Sequence, residues 1–253
     1  MIINSIDEVS YYSFELLAPY PELRHGIMCR RGPDGKEWTF SYGPENDVEK
    51  VNSNIDQACQ ALGLKRAIFV GQVHGIKPLV LAPTENYLPR KPEDVFQGFD
   101  AIISAFGQSM MVKVADCQGI IIYDPASRVL ALVHSGWRGS AKNIVGRTIR
   151  AMVSLFKLDP ATFLACVSPS LGPCCAEFIN YKDELPQEFW AFKDERDYFD
   201  FTAVTRSQLE KAGVKEQNIE FSGICSRCSK DFYSHRRGDK GRFAIIAGVV
   251  PLG

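Results

Sequence analysis

Closely spaced short apolar runs through the middle of the chain are the feature that most constrains its fold. They begin at Ala67, continue to Val133, and are separated by turn-forming residues such as Asp124-Pro125-Ala126-Ser127. Apolar runs of this length, bounded by turn residues, are typical of strands rather than helices. The turn at residues 124–127 predicts a hairpin between Gly119–Tyr123 and Val129–Val133. This close spacing in the middle of the chain favours antiparallel pairs.

Helical patterns flank these strand-like runs. The apolar spacing predicts helices over Asp47–Leu62 and Thr202–Ala212, and a third helix after Gly139 with Ser140 as its N-cap. Further strands are expected near Leu164–Val167, Ile219–Gly223 and Arg242–Val250. The sequence therefore predicts an α/β fold of the mixed α+β type, not a doubly wound parallel sheet. No repeat and no Pro/Gly/Ser-rich linker divides the chain, so we expect one domain over residues 1–253.

Composition and charge exclude several classes of protein. The 253 residues carry a formal net charge of −1, which argues against a nucleic-acid-binding surface or a polybasic membrane surface. The first residues are acidic rather than basic, unlike a signal peptide, and no apolar run approaches the roughly 20 residues that span a bilayer. We therefore expect a cytoplasmic protein. In that compartment the eight cysteines are expected to be thiols or ligands rather than disulfides.

Three of the apolar runs end in a residue that can bind a metal and that is followed closely by glycine. These residues are His74, Cys117 and His134. If the strand ends converge in one sheet, two imidazoles and one thiolate form a usual zinc set with one position open for catalysis. Two other interpretations use the same residues. The histidines could be hydrogen-bonded core residues, or Cys117 could be a nucleophile with His74 or His134 as its base.

The remaining cysteines give a weaker pattern. Cys225 and Cys228 form a CxxC motif, and Cys174 and Cys175 are adjacent. A CxxC motif indicates structural zinc only together with a second pair, and adjacent cysteines are an unusual ligand spacing. The sequence therefore favours free buried thiols at these four positions.

Five segments resemble, in order, the laccase-domain purine nucleoside phosphorylase family. Its members are also described as multicopper polyphenol oxidoreductases and as a peptidoglycan editing factor. The segments are GQVHG, ADCQGIIIYDP, HSGWRGSAKNIV, SLGPCC and FYSHRRGDKGR. The resemblance implies one domain of layered mixed β-sheets flanked by helices, and a zinc ion bound by His74, Cys117 and His134. It also implies phosphorolysis of adenosine, inosine and methylthioadenosine, and hydrolytic deamination of adenosine.

A purine nucleoside and phosphate are thus the expected small-molecule partners. Arg30 matches the family's early arginine and is the first candidate to bind phosphate, because a guanidinium makes paired hydrogen bonds to such an anion. Arg138, which precedes the helix expected near Ser140, is the second candidate. Gln72 and Asn54 are candidates to bind the base or the ribose. Zinc lowers the pKa of bound water to about 7, which would make hydroxide available for deamination.

Other functions remain open at this point. Copper could occupy the same three ligands, since most N/S sites bind copper more tightly than zinc, and a polyphenol oxidoreductase would use it. A multicopper centre would need more imidazoles than four histidines supply. A cysteine hydrolase, an amidase on a cell-wall precursor, would use Cys117 with His74 or His134 and would survive chelation. A metal-stabilised protein could also bind nucleosides without turnover. The sequence does not determine the oligomeric state.

Overall fold

The computed structural model describes residues 1–83 and 88–251. The strands in these ranges are β1 (Ile2–Ile6), β2 (Val9–Ser13), β3 (Leu23–Met28), β4 (Ile68–Gly71), β5 (Pro78–Val80), β6 (Phe96–Gln97), β7 (Ala101–Ser104), β8 (Met110–Val114), β9 (Gln118–Asp124), β10 (Val129–Ser135), β11 (Leu164–Val167), β12 (Ile219–Phe221) and β13 (Phe243–Val249). The α-helices are α1 (Val48–Ala61), α2 (Trp137–Ala141), α3 (Ile144–Phe156), α4 (Tyr181–Glu184) and α5 (Phe201–Lys211).

The strands form two mixed sheets. The first has seven strands in the order β1-β2-β3-β13-β8-β4-β6, and the second has six in the order β12-β11-β9-β10-β7-β5. Most neighbours pair antiparallel, whereas β4 pairs parallel with β6 and β8, β5 with β7, and β11 with β12. The predicted mixed α/β fold is confirmed. The sequence favoured antiparallel pairs in the middle of the chain, and it did not predict the parallel ones.

The two sheets share a core and are covered by helices on their outer faces. Alternating side chains of one strand show the layers: Ile121 and Tyr123 of β9 belong to the core that also contains residues of the first sheet, such as Val112 and Ile245. Ile120, the neighbour of Ile121, instead packs in the cluster that contains α3 and α5 residues. Helix α1 packs on the outer face of the first sheet. Because β-strand side chains alternate between faces, an apolar strand such as β9 contributes side chains to two hydrophobic layers.

Two local predictions are confirmed in detail. The hairpin between β9 and β10 is antiparallel, with Val129 opposite Asp124, and the Asp124 carboxylate accepts a hydrogen bond from the Ser127 amide at 3.0 Å. Helix α1 begins after Asp47, whose side chain accepts a hydrogen bond from the Lys50 amide at 3.0 Å. No helix in the described ranges has the length and apolar character that crossing a membrane requires.

The start of the helix after Gly139 was wrongly predicted. Ser140 lies inside the short helix α2, and Asn143 caps α3 by accepting a hydrogen bond from the Gly146 amide at 2.8 Å. Asn143 has a φ of 57°, a left-handed conformation that asparagine tolerates better than most residues. The chain therefore breaks between the two helices, and the apolar periodicity did not reveal this break.

Candidate metal site and its cavity

The structure brings His74, Cys117 and His134 together. Their ligand atoms all lie within 4.8 Å of one another, and the Cys117 Sγ is 3.7 Å from the His74 Nε2. The two imidazole rings meet edge to face with their centroids 4.9 Å apart. Thiolate and imidazole ligands about 2.0–2.3 Å from a tetrahedral zinc would be separated by similar distances. The donor set and its spacing therefore fit a zinc ion.

The sequence suggested that the three residues lie at strand ends of one sheet. The structure shows that they come from both sheets. His74 follows β4 and Cys117 follows β8 in the first sheet, whereas His134 belongs to β10 in the second. Cys117 directly precedes β9, so the chain passes from one sheet to the other at this cysteine. The site thus lies where the two sheets meet, which fixes the ligands relative to both layers.

Asp100, which no sequence motif indicated, connects two of the ligands. It is fully buried, and the Nδ1 of His134 donates a hydrogen bond to its Oδ1 at 2.8 Å. The amides of His74 and Gly75 donate to the same carboxylate at 2.9 and 2.6 Å. A carboxylate that holds the Nδ1 of a histidine leaves the Nε2 free to bind a metal. The only sequence signal was an acidic residue at the start of the apolar run Ala101–Ser104.

Hydrogen bonding controls the charge of Asp100. Burial alone would raise the pKa of its carboxyl group. The hydrogen bonds from His134 and from the amides of Gly75 and Val73 outweigh burial and lower that pKa below its ordinary value. Asp100 is therefore an anion beside His134.

Cys117 and His134 shift each other's protonation. Burial would raise the pKa of the Cys117 thiol, but His134 and then His74 lower it to about 6. Burial would lower the pKa of His134, but Cys117 and Asp100 raise it to about 9. Without a metal, each residue therefore favours the charged form of the other, a thiolate beside an imidazolium. A low-pKa thiolate is the form that binds metals and attacks electrophiles.

Gly136 is required for the close approach of the ligands. A Cβ at this position would lie 2.6 Å from the His74 Cδ2 and 3.0 Å from the Cys117 Sγ. Any side chain would therefore displace two of the three ligands. The glycine that follows His134 in the sequence thus has a specific packing role.

Asp116 holds the turn before Cys117. It has a φ of 80°, an uncommon conformation for a residue with a side chain. Its two carboxylate oxygens accept hydrogen bonds from the Ser226 hydroxyl and the Arg236 amide, both at 2.6 Å, and its carbonyl accepts one from the Leu171 amide at 2.9 Å. These contacts tie the Cys117 turn to two distant segments of the chain.

The three candidate ligands line a cavity of about 770 Å³. Ligand pockets commonly have volumes of about 300–1,000 Å³. Aromatic side chains form part of its wall, and Phe178 contacts Trp137 and Phe201 with ring centroids 6.2 and 5.2 Å apart. Ile179, which is 73% exposed, also lines the cavity. One side of the cavity is thus suited to a flat, largely apolar group.

Positively charged side chains form another part of the wall. They are Lys113, Arg138, Arg236 and Arg242, and within the described ranges none of them forms an ion pair with a carboxylate. Burial, and then the charge of Arg242, lower the pKa of Lys113 to about 8. An anion bound between these two cations would relieve their repulsion.

Two serines of the cavity wall have buried hydroxyl groups without partners. Ser135 and Ser140 line the cavity, but their Oγ atoms are buried and have no hydrogen-bond partner in the part of the chain that the structure describes. Buried polar atoms are nearly always hydrogen-bonded in native proteins. A polar ligand in the cavity could provide the missing partner.

Two of the four predicted substrate-binding residues line the cavity. Arg138 lines the cavity, with its guanidinium 4.1 Å from the centre of the Trp137 ring. Gln72 also lines it, but its amide group exchanges hydrogen bonds with the backbone of Lys113, at 2.7 and 2.9 Å, as a neighbouring strand would.

Arg30 and Asn54 are not among the residues that line the cavity. Arg30 is ion-paired with Glu37 and, at 3.3 Å, with Asp239. Asn54 is buried in α1 and donates a hydrogen bond to the Thr39 carbonyl at 2.8 Å. Both side chains have protein partners, and their substrate-binding roles stay predictions.

Known proteins resemble this chain over nearly its whole length. A purine nucleoside phosphorylase of Deinococcus radiodurans is 30% identical over 256 residues, which cover 92% of each chain. A purine nucleoside phosphorylase of Clostridium acetobutylicum is 29% identical over 262 residues, which cover 99% of each chain.

Solved structures share the fold. The protein YfiH of Bacillus licheniformis superposes with a TM-score of 0.86 at 20% identity, covering 98% of this chain and 99% of that one. The protein YlmD of Geobacillus stearothermophilus superposes with a TM-score of 0.83 at 22% identity, covering 92% and 94%. The family described as multi-copper polyphenol oxidoreductase laccase matches residues 25–250. This protein therefore belongs to the multi-copper polyphenol oxidoreductase laccase family, the laccase-domain family that its sequence motifs resemble.

Proposed function

We infer that this protein is a zinc-dependent purine nucleoside phosphorylase. The observation that carries the proposal is a His74–Cys117–His134 cluster in the wall of a cavity that also contains unpaired cations and aromatic rings. The relatives from Deinococcus radiodurans and Clostridium acetobutylicum, which are named purine nucleoside phosphorylases, support the same class of activity. The proposed substrates are adenosine, inosine and methylthioadenosine, each with inorganic phosphate.

The three ligands suit zinc, although copper could occupy the same atoms. A bound zinc ion would supply Lewis acidity at the cavity wall. Within the described ranges, the only other cluster of three or more candidate ligands consists of cysteines. The imidazole-rich copper cluster of an oxygen-reducing multicopper oxidase therefore has no counterpart there. His25, for example, accepts a hydrogen bond at its Nε2 from the Phe14 amide at 2.9 Å.

Phosphorolysis requires a base-binding wall and an anion-binding wall. Phe178 and Trp137 offer flat apolar surface for a purine, and Lys113, Arg242 and Arg138 offer positive charge for phosphate. A phosphate oxygen would form a bond to the ribose C1′ as the bond from C1′ to the purine N9 breaks. The electron pair of that bond leaves with the base, which takes up a proton, giving free purine and ribose 1-phosphate. The unpartnered hydroxyls of Ser135 and Ser140 are candidates to bind the ribose or the phosphate.

We also propose hydrolytic deamination of adenosine at the same site. Water would add at the purine C6 and ammonia would leave, giving inosine. Asp116, the acidic residue beside Cys117, is a poor candidate for the proton carrier, because both of its carboxylate oxygens already accept hydrogen bonds from the protein. Its contacts favour the role of holding the turn before Cys117. A cytoplasmic location, where reducing conditions keep cysteines out of disulfides, is part of this proposal.

A second candidate function, hydrolysis of an amide by a cysteine nucleophile, is favoured by one observation. Cys117 has a lowered pKa, and His134 is oriented by Asp100, which is the arrangement of a nucleophile, a base and an orienting carboxylate. An amidase of this kind would act on a carbonyl substrate and would keep its activity in a chelator. Metal dependence therefore separates the two functions.

Chromatography of adenosine incubated with zinc-loaded protein, with and without phosphate, tests the proposal. Adenine is expected only with phosphate, and inosine with or without it. His134→Ala should abolish both products, whereas His25→Gln, which keeps a hydrogen-bond acceptor outside the cavity, should retain them. Unchanged adenosine in every wild-type sample would reject the proposed function and favour the cysteine hydrolase.

A further inference from the structure

We propose a second metal site, a structural zinc ion bound by the four thiolates of Cys174, Cys175, Cys225 and Cys228. The Sγ atoms of these four residues all lie within 4.8 Å of one another. This inference concerns residues outside the cavity lining and does not depend on which substrate the cavity binds. It also reverses the sequence-based expectation of free buried thiols at these positions.

The distances between the sulfur atoms fit a tetrahedral tetrathiolate site. The Cys228 Sγ is 3.7 Å from the Cys174 Sγ and 3.6 Å from the Cys175 Sγ. Four thiolates placed about 2.3 Å from a zinc ion at tetrahedral angles lie about 3.8 Å apart. A disulfide would instead require sulfur atoms about 2.05 Å apart. The observed spacing is thus that of metal ligands and not that of a bonded pair.

Hydrogen-bond donors of the protein lie beside two of the four sulfur atoms. The Gly172 amide donates a hydrogen bond to the Cys225 Sγ at 3.3 Å, and the Arg227 guanidinium donates one to the Cys175 Sγ at 3.5 Å. Four thiolates and one zinc ion carry a net charge of −2, which these donors would partly balance. Hydrogen bonds from the surrounding protein to ligand atoms are a regular feature of metal sites.

The backbone is also arranged so that the two cysteine pairs can meet. A Cβ on Gly172 would lie 3.0 Å from the Cys225 Cβ and 3.5 Å from the Cys174 Sγ, so glycine allows the close approach. The Arg237 guanidinium donates hydrogen bonds to the carbonyls of Ser226, Arg227 and Ser229, at 2.7–3.1 Å, and so holds the turn that carries the CxxC motif.

Zinc is the ion that this donor set favours. Four thiolates select zinc or an iron–sulfur cluster over calcium and magnesium, which prefer oxygen ligands. A closed set of four protein ligands is typical of structural rather than catalytic zinc. Cys174 and Cys228 are exposed, so an ion can reach the cluster from solvent.

The position of the cluster gives it a structural role. It joins the segment after β11 to the segment after β12, which also meet through the isolated bridge between Ser170 and Cys225. Ser170 and Leu171, which precede Cys174 and Cys175, and residues 177–180, which follow them, line the cavity, as do His235 and Arg236 beyond the CxxC motif. A zinc ion at the cluster would therefore fix two walls of the cavity to each other.

Metal analysis of purified, zinc-supplied full-length protein tests the proposal. Wild-type protein should hold two zinc ions per chain, and His134→Ala should hold one because the cysteine cluster is intact. The double variant Cys225→Ser/Cys228→Ser should also hold one. Cys59→Ala, which removes a buried thiol from α1 outside both clusters, should hold two.

A spectroscopic measurement on the His134→Ala variant covers the case in which the cysteine double variant does not fold. Loaded with Co²⁺, this variant should show strong thiolate-to-metal charge-transfer bands, and a mercurial reagent should release its metal as four thiols react. A single zinc ion in wild-type protein together with none in His134→Ala would overturn the proposal. So would a disulfide between any two of the four cysteines in freshly purified, metal-supplied protein.

Discussion

The Asp100 carboxylate lies 2.8 Å from the Nδ1 of His134 and also accepts the amide hydrogens of His74 and Gly75. One buried side chain thus orients one candidate ligand through its ring and another through its backbone. This arrangement ties the ligand on β10 of the second sheet to the loop that follows β4 of the first. Asp100 is therefore a positioning residue for the site rather than a ligand.

Asp100→Asn should weaken zinc binding at the cavity. The amide keeps the size of the carboxylate but loses its charge, and one side of the amide would present N–H groups where the His134 Nδ1 donates. Loss of such a partner typically lowers metal affinity by about 10–100-fold. Zinc competition with a chromophoric chelator measures this change. Asp124→Asn, which alters another buried carboxylate at the end of β9, should leave the affinity unchanged. Equal zinc affinity in Asp100→Asn and wild-type protein would contradict the role of Asp100.

Gly136→Ala should damage the site through steric overlap. The new Cβ would lie 2.6 Å from the His74 Cδ2, so the ring must move, and overpacking of this kind costs about 1–3 kcal/mol. Thermal unfolding and zinc content measure the two consequences, a lower Tm and a loss of metal from the cavity site. Gly43→Ala is the matched control, because its nearest neighbour is the end of the Asn46 side chain at 3.2 Å. A Gly136→Ala protein with wild-type Tm and metal content would show that the close approach is not required.

The metal-free protein should react with iodoacetamide at Cys117 at unusually low pH. The pKa of this thiol is lowered to about 6, so the thiolate persists at neutral pH and the reaction slows as the pH falls through about 6. In His134→Ala the largest favourable interaction of the thiolate is lost, and the midpoint should move upward toward the ordinary thiol value. Mass spectrometry of the alkylated peptide distinguishes Cys117 from the other cysteines. Cys59, whose pKa burial raises to about 11, is the unreactive reference in the same chain. A Cys117 midpoint near that of an ordinary thiol in wild-type protein would contradict the thiolate–imidazolium pair.

Arg242→Gln should raise the KM for phosphate without a comparable change in the KM for adenosine. Hydrogen bonds to a charged partner contribute about 1.5–3 kcal/mol, which corresponds to about 10–150-fold in KM. The substitution removes a charge that lies in the cavity wall and near Lys113. Initial rates at varied phosphate concentration measure the change. Arg147→Gln, on the exposed face of α3, is the control because it also removes one positive charge. An unchanged phosphate KM would move the anion site elsewhere, with Arg138 as the next candidate to substitute.

The sequence predicted those features that depend on local chemistry. The Asp124–Ser127 turn indicated the β9–β10 hairpin, and Asp47 marked the start of α1. The family motifs and the strand-end positions indicated His74, Cys117 and His134 as one cluster, which the structure brings together. The prediction of one domain over residues 1–253 is consistent with a core shared by both sheets, and it stays a prediction.

Features that depend on contacts distant in sequence were not predicted. Asp100 acts on residues 26 and 34 positions away, and nothing in its own neighbourhood reveals these partners. The cysteine cluster joins positions more than 50 residues apart, and adjacent cysteines argued against it before their partners could be placed. The break between α2 and α3 depends on one left-handed asparagine, which the apolar period does not register.

Zinc-dependent release of adenine from adenosine tests the central claim most directly. Protein stripped of metal by a chelator is titrated with zinc in the presence of phosphate, and adenine and ribose 1-phosphate are measured against the zinc content of the cavity site. We expect both products to increase in equal amounts with zinc occupancy in wild-type protein and to stay absent in His134→Ala. Adenine release that is complete before zinc is added, or that is unaffected by the loss of His134, would contradict a phosphorylase built on the His74–Cys117–His134 site.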